Sequence, residues 1–235
     1  MAKEVKTVRA AALSVGIFMM TGAAGAAPVF HGPTPYLSFP DSPFSGGSFS
    51  YFHPDNFESG ALSVPGVTIN LGTLVLAPSA QTNSIDGGSL YSGGDLSFFR
   101  FTFDAATLGG LLPTDAGIVW TDIGNTSGTQ GVGLVFEGFD PLGVSLGSTG
   151  PFALGDGSTF GATAENHFFG VTNATGISAI ETGVTGSIDW GVDHLQYGVS
   201  NVAAIPEPGT YLRAITGLAT LPFIRRRRLG PVPFK

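Results

Sequence analysis

Cysteine is absent from this 235-residue chain, which excludes disulfides, thiolate nucleophiles and cysteine-ligated metals at once. Basic side chains are nearly absent from its middle. Between Pro28 and Ile205 the only Lys or Arg is Arg100, set against fifteen acids, for a formal charge of −14. Affinity for a phosphate backbone rests on Lys and Arg displacing counterions, so nucleic-acid binding is excluded as a function of this segment. Amphipathic helices are missing too. The best candidate, Asp104–Leu112, is weakened by Gly109 and Gly110, and without helices a parallel α/β architecture has no crossovers. No repeat of fixed period marks a solenoid or propeller. There is no phosphate-cradling glycine pattern, no Gly-x-Ser-x-Gly elbow and no HExxH pair, and His31, His53, His167 and His194 have no recognisable serine partner.

What is present is glycine (36 residues) and phenylalanine (19 residues) with few charges, the composition of many short strands joined by tight turns. Val67–Leu71 and Phe99–Phe103 alternate apolar and polar, which puts Phe99, Phe101 and Phe103 on one face and Arg100 and Thr102 on the other. Further strands are expected at Gly117–Thr121, Val132–Phe139, Val144–Gly147, Phe168–Val171, Ile177–Ile180 and Asp193–Gly198. Breaks fall at Asp86-Gly87-Gly88, Gly93-Gly94, Gly109-Gly110, Asp140-Pro141-Leu142-Gly143 and Asp156-Gly157. The expectation is an all-β protein with a single jelly-roll-like β-sandwich over residues 55–200. Residues 27–54, rich in proline, are expected to be an irregular lead-in.

The two ends carry addresses. Lys3, Lys6 and Arg9 precede an apolar run from Ala10 to Met20 and small residues from Gly22 to Ala27. This is the order of a secretory signal peptide over residues 1–26, with an A-x-A site at Ala24-Gly25-Ala26. At the other end, Pro206-Glu207-Pro208 is followed by an apolar stretch from Ala214 to Ile224 and by Arg225-Arg226-Arg227-Arg228. Four arginines hold such an end in the cytoplasm, which leaves the acidic body outside. Arg213 interrupts the stretch, and the apolar run is shorter than the roughly 20 residues of a stable span, so the anchor is a marginal one. Residues 205–228 resemble the PEP-CTERM sorting signal, with 229–235 extending beyond its usual end. That resemblance implies signal peptidase and an exosortase-type enzyme as partners, a transient stay in the inner membrane, and delivery to the cell surface or extracellular matrix of a Gram-negative-type bacterium.

A second resemblance covers roughly residues 55–198. Val135–Gly143 is similar to a strand and turn of galactose-binding-like sandwiches. Phe168–Thr172, Ile177–Ile180 and Val192–Gly198 are similar to the terminal strands of bodies joined to such tails. The resemblance implies a relative of carbohydrate-binding modules, with one structural calcium joining the first strand to the last, here at Asp55, Glu58 and Asp193. Oxygen ligands in loops of an acidic, cysteine-free domain suit that ion. Sugar binding asks for aromatic platforms beside amides, and Trp120, Trp190, Tyr197 and Tyr91 are candidates, with Asn125 and Gln130 in a polar loop. An aromatic in a strand is more often core than platform. His53-Pro54-Asp55 and Asp193-His194 hold ligand-type side chains without a transition-metal spacing. Glu137, inside an apolar strand, is the best catalytic candidate, although an outward-facing strand glutamate is the simpler reading. The function expected is a non-catalytic polysaccharide-binding or structural surface protein. The alternatives are a secreted polysaccharide hydrolase using paired carboxylates and a purely structural protein that takes no small ligand.

Overall fold

The computed structural model describes residues 26–59, 61–70, 75–76, 85, 90–91, 98–124, 133–154, 165–185 and 189–201. The strands in chain order are β1 (Val29–Pro35), β2 (Phe49–Asp55), β3 (Val67–Asn70), β4 (Val75–Leu76), β5 (Leu90–Tyr91) and β6 (Phe98–Phe103). They continue with β7 (Asp115–Gly124), β8 (Gly133–Phe139), β9 (Ser145–Phe152), β10 (His167–Thr172), β11 (Ala179–Thr185) and β12 (Asp189–Ser200). Among the described residues helix is confined to a 3-10 turn at Phe39–Asp41 and the 3-10 position of Glu165, and no helix is long and apolar enough to cross a membrane. The stretch considered for a helix, Asp104–Leu112, is a run of turns. Asp104 accepts the Ala106 N–H and the Thr107 hydroxyl, and Gly109 and Gly110 follow with positive φ, so the backbone turns back before a helix can propagate.

All pairings are antiparallel and form two sheets. The larger runs β1-β10-β7-β12-β5-β4, with β2 also paired to β12; the smaller runs β3-β6-β11-β8-β9. The sheets pack face to face as a β-sandwich. Their shared core includes Phe99, Phe101, Phe136 and Ile180 from the smaller sheet, and Ile118, Trp120, Phe169, Trp190 and Tyr197 from the larger. The alternation of β6 places Phe99, Phe101 and Phe103 inside, as the period-two pattern requires. The indole N–H of Trp120 donates to Thr182 Oγ1 across the sandwich at 2.8 Å, so the polar atom of a fully buried ring is satisfied by the opposite sheet.

Residues 27–54 correct the expectation of an irregular lead-in. They supply β1, at one edge of the larger sheet beside β10, and β2, beside β12. Prolines read as a break in a central strand, but Pro33 and Pro35 lie on an edge and Pro54 on a strand with one neighbour, where a missing N–H costs no ladder bond. The connection between these strands folds over the outer face of the larger sheet. There Tyr36 and Phe44 pack with Val119 and Phe168 in a second apolar cluster, flanked by Phe49 and Phe52. The ring of Phe168 lies over Gly117, where a Cβ would stand 2.2 Å from it, so a glycine is what lets the aromatic lie flat on the sheet. Both faces of the larger sheet are therefore covered at β7 and β10.

Two histidines carry a pH response. His31 Nε2 is 2.9 Å from Thr172 Oγ1, which donates in turn to Asp115 Oδ1 at 2.7 Å. Burial lowers the His31 pKa, opposed by the Asp115 charge, and burial also lowers that of His53. Both rings bind protons less readily folded than unfolded. Their stabilising contribution is complete above the unfolded value of about 6.5 and is lost as pH falls through the window below it. We expect melting to shift down between about pH 7 and about pH 5, and a His31→Asn/His53→Asn variant to shift less. Calorimetric melting curves at both pH values check this; equal shifts in the two proteins would remove the histidines as its cause.

Candidate functional site

The alternation of β12 is broken once, and the break builds a site. Trp190 and Val192 point into the core, yet so do Leu195 and Tyr197, so the buried positions change from even to odd. The change is a β-bulge: between the pairs Asp193↔Val119 and Gln196↔Gly117, β12 carries one residue more than β7. His194 sits in the bulge with φ +48, and so is turned to the outer face with Asp193 and Gln196. Opposite it, just past the end of β2, Phe57 has φ +57. A left-handed conformation costs a bulky residue about 1–2 kcal/mol and persists only where its surroundings hold it.

What holds each one is a buried aspartate. Asp55 Oδ1 accepts the Phe57 N–H at 2.9 Å, and its other oxygen accepts the Ser63 N–H at 2.6 Å. Asp193 Oδ1 accepts the His194 N–H at 2.6 Å, and Oδ2 accepts the Ile85 N–H at 3.1 Å. Both carboxylates are almost fully buried, whereas Glu58 is exposed. No group of three His, Asp or Glu side chains placed to hold a metal ion occurs among the described residues. Asp55, Glu58 and Asp193 form no such group. The aspartate oxygens are aimed at backbone amides, and their work is to fix two strained turns.

Between these turns lies a cavity of about 310 Å³ lined by Tyr36, Phe39, Pro54, Asp55, Asn56, His194 and Gln196. A chain of hydrogen bonds runs along its wall. Ser42 Oγ donates to Gln196 Oε1 at 2.6 Å, Gln196 Nε2 donates to Tyr36 Oη at 3.1 Å, and Tyr36 Oη is 2.9 Å from His194 Nδ1. Gln196 and Tyr36 are buried, so the chain is rigid; His194 is half-buried and Phe39 and Asn56 are exposed at the mouth. The two short sequences His53-Pro54-Asp55 and Asp193-His194 do meet in space, because β2 pairs with β12 and sets Asp55 against Leu195. They meet as walls of a polar pocket with an aromatic rim.

The other expected site residues fall elsewhere. Trp120, Trp190 and Tyr197 are buried between the sheets. Trp120 and Trp190 stack on each other at 4.6 Å, and the Tyr197 hydroxyl donates to the Pro65 carbonyl. With both faces packed they offer no platform to a sugar ring, which corrects the stacking assignment. Glu137 projects from β8 on the outer face of the smaller sheet, directly opposite Glu181, which pairs with Arg100 at 3.3 Å. The Arg100 guanidinium also lies 3.8 Å over the Phe139 ring. Ala24, Pro206, Glu207, Pro208 and Arg225 to Arg228 lie outside the described residues, as do Asn125 and Gln130; for Tyr91 only the backbone is described. Ala26 borders a groove at the opposite end of β12. Sequence reasoning missed Tyr36, Phe39, Ser42, Asn56 and Gln196. Their only trace in the sequence was that two ligand-type clusters, far apart in the chain, lay near polar residues. Comparison with protein-family models, with curated proteins and with solved structures finds no match.

Proposed function

We propose that this chain is an exported, non-catalytic β-sandwich protein of the cell surface or extracellular matrix, which holds a sugar unit of an extracellular polymer in the Tyr36–His194 pocket. The observation that carries the reading is that pocket: about 310 Å³, at the lower end for ligand sites, with polar groups fixed by a buried hydrogen-bond chain and an exposed ring at its mouth. Phe39 offers a face for a pyranose ring, while Asn56, His194 and Gln196 suit hydroxyl groups. The −14 formal charge of the body disfavours anionic polymers, so the ligand class is a neutral glycan. Export rests on the sequence of the two ends, which also names signal peptidase and an exosortase-type enzyme as processing partners. A jelly-roll order of strands, with descent from carbohydrate-binding modules, belongs to the same proposal.

The second reading, a hydrolase, draws on one observation, the direct cross-strand opposition of Glu137 and Glu181. One experiment separates the readings. Full-length protein is titrated calorimetrically with neutral oligosaccharides and incubated with labelled polymers. Binding that weakens about tenfold in Phe39→Ala, a loss of about 1.4 kcal/mol, is the expected result. Failure of every neutral glycan to bind would leave the purely structural reading standing. Cleavage that disappears in Glu137→Gln would replace the binder by an enzyme.

A further inference from the structure

We infer that the face of the larger sheet that carries the Tyr36–His194 pocket also holds a structural calcium ion, bound through Thr121, Glu165 and Asn166. Three buried side-chain oxygens among the described residues have no hydrogen-bond partner: Thr121 Oγ1, Thr149 Oγ1 and Asn166 Oδ1. Thr149 lies on β9 of the smaller sheet, but the other two stand together. His167 pairs with Trp120, and Asn166 and Thr121 lie one residue beyond that pair on the two adjoining strands. The line of the sheet continues there, because the Tyr36 N–H donates to the Asn166 carbonyl at 2.9 Å. Residues opposed across an antiparallel pair have Cα atoms about 4.5–5.5 Å apart, close enough for both side chains to reach one ion. Thr121 is also the extra residue of a bulge. Gly191 of β12 pairs with Asp122 and Val192 with Trp120, so no residue of β12 stands opposite Thr121. A bulge of this kind re-aims a side chain.

A buried oxygen left without a donor is costly, and native proteins seldom keep two side by side. Two fully buried carboxylates belong to the same part of the sheet. Glu165 adjoins Asn166 in the chain, and Asp193, opposite Val119 on the other side of β7, is turned to the outer face. The one Lys or Arg between Pro28 and Ile205 is Arg100, which lies in the smaller sheet against Glu181. A cation answers the charge of these carboxylates and gives both orphaned oxygens the partner they need. His, Asp and Glu do not gather in threes among the described residues, so neutral amide and hydroxyl oxygens complete the set. Carboxylate, amide and hydroxyl are hard ligands that suit calcium, whose flexible geometry takes backbone carbonyls or waters in its remaining positions. Magnesium demands a tighter octahedron and is the weaker fit. An ion held here ties β7 to β10 and, through the Tyr36 N–H, steadies the segment that walls the pocket.

Calorimetric melting of the full-length protein in calcium chloride and in chelator tests the assignment. With calcium about a hundredfold above its dissociation constant, the melting temperature is expected to rise by about 5–11 °C, and magnesium to give a smaller rise. Thr121→Val and Asn166→Leu replace the two oxygens by apolar groups of similar size. Each variant should melt in chelator at or above the wild-type temperature, because an orphaned atom is gone, and should lose most of the rise in calcium. Terbium in the same position, one residue from Trp120, should luminesce on tryptophan excitation in the wild type and not in Asn166→Leu. A wild-type protein that melts alike in calcium and in chelator would overturn the ion. A rise that persists in both variants, or that disappears in Glu58→Gln, would put the ion elsewhere and overturn these ligands.

Discussion

Trp190→Ala is expected to lower the stability of the folded protein by about 3–5 kcal/mol, the cost of removing a large aromatic from a closed core. Trp190 has no solvent exposure; its ring lies 4.6 Å from that of Trp120 on the same sheet and 4.4 Å from that of Phe99 on the opposite one. It is therefore one of the contacts that joins the two sheets. Alanine at this position leaves a cavity bounded by strands fixed through their own ladders, and such walls cannot close around it. For a domain of this size each kcal/mol moves the melting temperature by about 2–4 °C, so a fall of roughly 6–20 °C should be seen by calorimetry. Trp190→Phe keeps most of the ring and should lose less. An unchanged melting temperature in Trp190→Ala would mean that the ring is on the surface, and would restore it as a sugar platform.

Asp193→Ala should cost about 3 kcal/mol and abolish glycan binding together. Its carboxylate accepts two backbone N–H groups, those of His194 and Ile85, and each buried donor left without an acceptor costs about 1–3 kcal/mol. The His194 amide belongs to a residue with φ +48, so the same loss removes what holds the bulge. Without the bulge, His194 would follow the plain alternation of β12 and turn toward the core, and Gln196 and Tyr36 would lose the partner that ends their hydrogen-bond chain. Asp193→Asn keeps an acceptor oxygen and should retain part of both properties. Denaturant melts and the same calorimetric titration measure the two effects side by side. A variant of native stability that still binds glycan would show that the bulge does not need its aspartate.

The sequence was most informative where a property is local. Phe99, Phe101 and Phe103 share a face because successive side chains of a strand must alternate, and the structure buries all three. The eight expected strands correspond to β3 and β6 to β12, with ends displaced: Ile177–Ile180 was too early for β11, and the expected end of β12 at Gly198 was two residues short. It was least informative where one segment covers another. Trp120, Trp190 and Tyr197 could be named as platforms although core is the commoner place for a strand aromatic, because alternation names two faces without saying which is wet. Val119 and Phe168 belong to the second apolar cluster only because the chain after β1 returns over the outer face of the larger sheet.

By itself, then, the sequence determined the all-β character, the lack of any disulfide, and an acidic middle with a single base, since composition and period-two alternation act residue by residue. Tertiary structure decided the rest. It made edge strands of a proline-rich segment, put Asp55 and Asp193 to holding left-handed turns, and joined Tyr36 to His194 and Gln196 across some 160 residues of chain. The physical reason is that a bulge of one residue has no mark in composition, and a pocket exists only where strands distant in sequence pair side by side.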